Sequence, residues 1–263
     1  MYMVIFLKIT IFDEYLILEY MDNLIFNYRA TIFSKRIDIT NDNVVKLTTL
    51  MRPYELLPTF VSEIELQLSP FGIQQVPVQN LELKRLDGSL IVKFSFDRID
   101  VVRNKITNDD NLESIEDFSN LSYDILSIII TEFSLEVSRI ALCSSSTLIL
   151  ANNENVSMIY PKLATSIGPF NNEYPEEWEL RQVHKIKLTS SPSIIVNYSS
   201  KIARVIAHIA YETLPSDRII KEYDFNTNPQ VGVAFNKENV RLYFDEIGPL
   251  IRKYEDDYMR KII

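Results

Sequence analysis

Glycine, cysteine and histidine are all scarce in this chain, and each shortage removes a class of function. Five glycines occur among 263 residues. None sits in a G-x-x-x-x-G-K-[ST], G-x-G-x-x-G or G-x-S-x-G pattern, so nothing supports an NTPase, a dinucleotide enzyme or an α/β-hydrolase. Cys143 is the only cysteine, which excludes an intrachain disulfide and a multi-cysteine metal site built from one chain and points to a cytoplasmic home. The two histidines, His184 and His208, form no metal-spaced pair and lie in apolar strand patterns, where a structural role is the ordinary one. Basic charge is also short, with 27 Lys and Arg against 36 Asp and Glu for a net charge of −9. That balance argues against a general nucleic-acid surface, which needs clustered cations. No apolar run reaches the roughly 20 residues of a membrane span. Met1–Tyr20 is apolar, yet it lacks a basic first segment and Lys8, Asp13 and Glu14 interrupt it. It reads as strands over Val4–Ile11 and Tyr15–Glu19, with Met21 an alternative start.

What is present is a chain 46% hydrophobic and rich in aromatic and β-branched residues, the composition of a sheet-rich globular protein. Its most informative stretch is Leu81–Leu150. Leu81-Glu-Leu-Lys-Arg-Leu runs through Asp87-Gly88 into Ser89-Leu-Ile-Val-Lys-Phe, a strong hairpin signal. A two-residue turn there predicts that Leu83 faces Val92, Leu81 faces Phe94, and Glu82 faces Lys93, so apolar meets apolar and acid meets base. After the polar run 104–111, apolar residues recur with a helical period at Leu112, Ile115, Phe118, Leu121, Ile125, Ile129 and Phe133. Asp110 with Glu113 three residues on is the expected start of that helix. Period two then returns at Val137–Ser144, a strand expected beside the hairpin and under the helix. Asp97 and Arg98 are expected in a surface ion pair or strand edge, with Arg139 as a further partner.

Elsewhere, strands are expected over Leu24–Phe33, Phe60–Leu68, Trp178–Leu188, Ile194–Tyr198, Ile202–Thr213 and Arg218–Phe225, and short helices over Val44–Leu50 and Asn155–Ile167. A last helix opens near Asn236, with Val240, Tyr243, Phe244, Ile247, Leu250, Ile251, Tyr254 and Tyr258 on one face and a kink expected at Gly248-Pro249. The whole reads as an α+β fold, mainly antiparallel sheet, with hairpin-then-helix units. Their appearance at both Leu81–Phe133 and Ile202–Ile262 raises a structural duplication. The turn-rich segment Gly168–Glu177 divides an N-terminal half, 1–167, from a C-terminal half, 168–263, unless the two form one continuous domain.

The succession Lys84-Arg-Leu-Asp-Gly-Ser-Leu-Ile-Val-Lys-Phe-Ser-Phe-Asp-Arg-Ile, a helix, then Val137-Ser-Arg-Ile-Ala-Leu resembles a sporadically distributed family of bacterial proteins of unknown function. There a strand pair with a short turn is followed by a helix and a "VSRIGLRY"-like strand, and the chain closes on a long helix. Ala141-Leu142-Cys143 departs from that strand's glycine and aromatic end. The resemblance implies a fold and a bacterial origin and supplies no chemistry.

Two functional readings follow. The leading one is a non-catalytic protein that binds a protein partner or its own copy, without cofactor, metal or membrane, with Tyr243, Tyr254 and Tyr258 as a candidate interface stripe beside a core role. The alternative is a metal-dependent nuclease or hydrolase in which Glu63, Glu65 and Glu82 hold a divalent ion and Lys84 stabilises charge, since Glu82-x-Lys84 puts both side chains on one strand face. A component of a bacterial defence or toxin-antitoxin pair is a third expectation, drawn from the resemblance alone. Cys143, without a basic neighbour in sequence, is expected to be an inert thiol.

Overall fold

A computed structural model describes residues 22–69, 72–107, 109–149, 159–161, 163–164, 175–208, 214–228 and 234–262. The strands expected before Asp22, most of the helix expected over Asn155–Ile167, and positions 168–174 of the expected boundary lie outside these residues. The strands are β1 (Asp22–Phe33), β2 (Leu57–Ser69), β3 (Gly72–Lys84), β4 (Leu90–Phe94), β5 (Arg98–Asn104), β6 (Arg139–Ile149), β7 (Trp178–Lys187), β8 (Ile195–Ala207) and β9 (Ser216–Thr227). They form one antiparallel sheet of nine strands among the described residues, in the order β2-β3-β4-β5-β1-β6-β9-β8-β7. Helices α1 (Asn41–Met51), α2 (Ile115–Phe133) and α3 (Lys237–Ile262) accompany it. The fold is therefore α+β. The segment read in sequence as Ile194–Tyr198 and the first part of Ile202–Thr213 join in β8, and positions 209–213 lie outside the described residues.

Strand alternation sorts side chains onto two faces. One lateral row, Pro58, Leu83, Val92, Val101, Ala30, Leu142, Phe225, Tyr198 and His184, crosses all nine strands on the side that α2 and α3 cover. The neighbouring row, Thr59, Glu82, Lys93, Asp100, Thr31, Ala141, Asn226, Asn197 and Lys185, lies on the other face. That open face is polar. The Lys93 ammonium stands 3.4 Å from Glu82, and buried Asp100 accepts from the Thr31 hydroxyl at 2.5 Å and from Arg98 Nε at 3.1 Å. Arg98 thus pairs with Asp100 rather than Asp97, while Arg139 lies over the Phe33 ring at 4.9 Å.

The hairpin register is the one turn chemistry predicted, with Leu81 opposite Phe94, Glu82 opposite Lys93 and Leu83 opposite Val92. Its loop is longer than two residues. Arg85 N–H donates to the Leu90 carbonyl at 3.0 Å, and Gly88 N–H donates to the Arg85 carbonyl at 2.9 Å. Leu86–Ser89 therefore form the loop, Gly88 takes φ +75°, and the Asp87 carboxylate accepts from Ser89 N–H at 2.9 Å. Loops of two and four residues about one centre give the same pairing, so the register survives.

Two expectations about α2 and its successor are corrected. The helix starts at Ile115, capped by the Ser114 hydroxyl accepting from Asp117 N–H at 3.1 Å. Asp110 and Glu113 instead hold the Arg103 guanidinium at 3.2 and 3.0 Å, because this half-buried cation at the end of β5 needs carboxylates. The strand after α2 does not lie beside the β3–β4 hairpin. It is β6, between β1 and β9, since β1, from far earlier in the chain, inserts at the middle of the sheet.

The core lies between sheet and helices, where Tyr28, Ile32, Leu83, Val92, Phe118, Ile125, Ile129, Phe225, Phe244 and Ile251 pack together. Each such side chain contributes roughly 1.5–3 kcal/mol by leaving water. Helix α3 runs unbroken through Pro249. Gly248 has a packing reason: a Cβ there would stand 2.8 Å from the Ser119 hydroxyl on α2, so the two helices approach as closely as they do because this residue lacks one. No helix among the described residues is long and apolar enough to cross a membrane.

Candidate functional site

The sheet's far end, β9-β8-β7, carries a lysine and a group of tyrosines on the helix-covered face, where β4 and the end of β3 carry Leu81, Leu83, Leu90, Val92 and Phe94. In β9, alternation puts Lys221, Tyr223 and Phe225 on that face, opposite Ile202, Ser200 and Tyr198 of β8. Lys221 and Tyr223 meet Ser146 and Ser144 of β6 on their other side. The last turns of α3 lie above, presenting Tyr254, Glu255, Tyr258 and Met259 at helical spacing.

Aromatic contacts organise the site. The Tyr198 ring lies 4.6 Å from both Phe225 and Tyr254, with interplanar angles of 17° and 6°. Between α3 and the strands a cleft of about 370 Å³ remains, lined among others by Tyr198, Tyr223, Tyr254, Tyr258, Leu180 and Asp257. The Tyr223 and Tyr258 hydroxyls are buried and have no hydrogen-bond partner among the described residues. Burial raises both far above the usual phenol range.

Behind the tyrosines sit two buried ionisable groups. Lys221 is fully buried, with Nζ 3.5 Å from Met259 Sδ and 5.5 Å from the centre of the Tyr258 ring. No carboxylate among the described residues is within ion-pair distance of it, and burial pushes its ammonium down to about 8 against the opposing field of Glu255. Glu255 is buried and accepts from the Ser144 hydroxyl at 2.8 Å. Burial raises its pKa, opposed by that hydrogen bond and by Lys221. Buried charge and unpaired hydroxyls are costly to a fold. In front of them the cleft itself, with its tyrosines, Gln182, Ser200 and Asp257, offers ring faces and polar contacts to an incoming group.

The predicted tyrosine stripe divides here. Tyr243 is fully buried and donates its hydroxyl to the Phe225 carbonyl at 2.6 Å, a core position. Tyr254 and Tyr258 line the cleft. Of the proposed acid-base set, Glu82 and Lys84 share the open face, with Glu82 beside Lys93. By register Glu63 and Glu65 pair with Val78 and Val76, which sets Glu63 four residues along from Glu82, roughly 13 Å away. Both histidines are exposed; the His184 ring stacks 6.2 Å from Tyr198. The Cys143 thiol donates to Asp224 at 3.4 Å, and burial pushes it up to about 12, as suits an inert thiol.

No family model and no curated protein matches this chain. Sequence reasoning missed Tyr198, Lys221, Tyr223 and Glu255. The i, i+2 spacing of Lys221, Tyr223 and Phe225 does mark one strand face, but the residues that cover the cleft side of that face, Tyr254 to Met259, lie near the far end of α3.

Proposed function

We propose that this chain is a non-catalytic binding protein that engages a protein partner or its own copy at the β7 end of the sheet. The observation that carries the reading is the tyrosine-lined cleft opening beside β7, an edge strand whose outer backbone groups have no sheet partner among the described residues. Tyrosines supply large, rigid contact area at low entropic cost. Gln182, Ser200 and Asp257 also line the cleft beside the tyrosine rings, so an occupant meets polar side chains as well as ring faces.

In the same reading the chain works in the bacterial cytoplasm. Support comes from its single cysteine and from its likeness to the sporadic bacterial family, which also brings the defence or toxin-antitoxin role. The strand order supports an internal duplication. Each half starts at a central strand, β1 or β6, goes to an outer edge, returns inward to β5 or β9, and ends in a helix, α2 or α3.

Light scattering over a range of concentrations, alone and after partner capture from a bacterial lysate, tests the reading. Self-association or a single stoichiometric partner that is lost in Tyr254→Arg is the expected result. Association unchanged by Tyr254→Arg would overturn it. The nuclease or hydrolase reading rests on Glu82 and Lys84 sharing a face, and it forecasts instead that Mg²⁺ heats in calorimetry vanish in Glu82→Ala.

A further inference from the structure

We propose that the group docking on β7 is strand β2 of a second copy, so that the sheet continues from one molecule into the next. This rests on the preceding reading and names the partner.

The two edges of the sheet are complementary in charge. On β7, Arg181, Lys185 and Lys187 are exposed on the open face. Arg181 donates to the Ser199 hydroxyl at 3.3 Å, and none of Arg181, Lys185 and Lys187 has an ion-pair partner among the described residues. The one acid of β7, Glu179, is already 3.4 Å from Lys201. This is a cationic edge on a chain of net charge −9. The other edge, β2, has Glu63 and Glu65 and no basic residue.

The faces agree as well. Glu63 and Glu65 have the parity of Thr59 on β2, and Arg181 and Lys187 that of Lys185 on β7; Thr59 and Lys185 end one row across the sheet. A β2 strand laid against β7 with the open faces continuous therefore sets acidic positions beside basic ones. The opposite parity of β2 contains Phe60, 53% exposed, and Ile64, 67% exposed, which then fall on the side of Leu180 and Gln182 at the cleft. Apolar surface that water meets in the single chain is covered in the same step.

Charge also disfavours other edge pairings. Two β2 strands in antiparallel register about Ile64 would oppose Glu63 to Glu65, and two β7 strands in antiparallel register about His184 would oppose Arg181 to Lys187; like charges directly opposite are destabilising. The union of β2 with β7 is head-to-tail, and with eight antiparallel steps across the sheet, β2 and β7 run in the same direction, so it is a parallel pairing. Such contacts close into rings or extend as filaments.

A charge-exchange experiment on the full-length chain tests this. One variant carries Lys185→Glu and Lys187→Glu, leaving both edges acidic; a second carries Glu63→Lys and Glu65→Lys, leaving both basic. The expected result is that wild-type mass in light scattering rises with concentration, that each variant alone associates at least about tenfold more weakly, and that an equimolar mixture regains association because each acidic edge finds a basic one. Added salt should weaken the wild-type assembly. Recovery in the mixture also shows that both variants fold. Wild-type association that persists in both variants would overturn the β2–β7 pairing while leaving binding at the cleft standing. The pairing falls in the same way if a monomeric wild type takes one stoichiometric partner in a Tyr254-dependent manner. Edge charges that act only as guards against pairing would leave the wild type monomeric and make Lys185→Val associate, a result that also overturns the proposal. A monomer without any partner would remove both readings.

Discussion

At its β2-β3-β4 end the sheet buries Leu81, Leu83, Val92 and Phe94 against Leu47 and Met51 of α1 and against Leu56, with its acid and base kept on the open face as the Glu82–Lys93 pair. At the β9-β8-β7 end the same face buries tyrosines, a lysine and a glutamate and leaves a cleft of about 370 Å³. Both ends use the same antiparallel strand pairing, with α1 over the first and the last turns of α3 over the second. The first spends the covered face of β3 and β4 on dry packing, whereas the second sets buried Lys221 and Glu255, and two tyrosine hydroxyls without a hydrogen-bond partner among the described residues, behind a cleft.

Substitutions can break or sharpen that contrast. The largest effect is expected from Leu83→Ala, which should lower stability by ~3–5 kcal/mol in urea denaturation because the dry packing around it leaves a cavity. Ile202→Ala, beside the cleft, should cost only ~1–3 kcal/mol, since space already adjoins it. Equal losses would break the comparison.

Next comes Lys221→Met in a Glu255→Gln background, which should stabilise by about 1–3 kcal/mol at pH 6 by removing a buried charge pair without an ion-pair contact. The pH dependence has a definite sign. The Lys221 pKa falls on folding from 10.5 to about 8, so between those values the unfolded chain holds a proton that the folded chain has released. Wild-type stability therefore rises with pH across that window, and the advantage of the variant shrinks there. Thermal melts at pH 6 and pH 9.5 would show it. An advantage that grows with pH would mean that the ammonium is well paired.

Gly248→Ala should cost about 1–3 kcal/mol, because the new methyl meets the Ser119 hydroxyl and α3 must shift from α2. The Ser119→Ala change should recover part of that loss. The smallest effect is expected at the hairpin loop, where Gly88→Ala meets no atom within 4 Å. It should cost about 1 kcal/mol from its left-handed backbone alone.

The contrast between the ends also explains what could be read in the sequence. The Leu81–Phe94 hairpin was legible because Asp87-Gly88 and the alternation around it are local signals that agree on one register. The helices α2 and α3 were legible from their periods and α1 from the polar break and the proline that bound it, although the start of α2 was misplaced because Asp110 and Glu113 resemble a cap while serving Arg103. The position of β6 was not legible, since no local pattern says that β1 will separate it from the hairpin. Nor was the cleft. It depends on contacts such as Ser144 with Glu255, 111 residues apart, and on which side of β9 the last helix covers. Tyr254 and Tyr258 were picked out by their stripe on α3, whereas Tyr243, on the same stripe, is held inside by its bond to the Phe225 carbonyl.

The most direct measurement of the central claim is amide hydrogen exchange of the full-length chain at low and high concentration. Concentrating the chain should slow exchange in β7, in β2 and in the last turns of α3, and leave the central strands β1 and β6 unchanged. Slowed exchange confined to α1 or α2, with β7 exchanging at the same rate throughout, would contradict that claim.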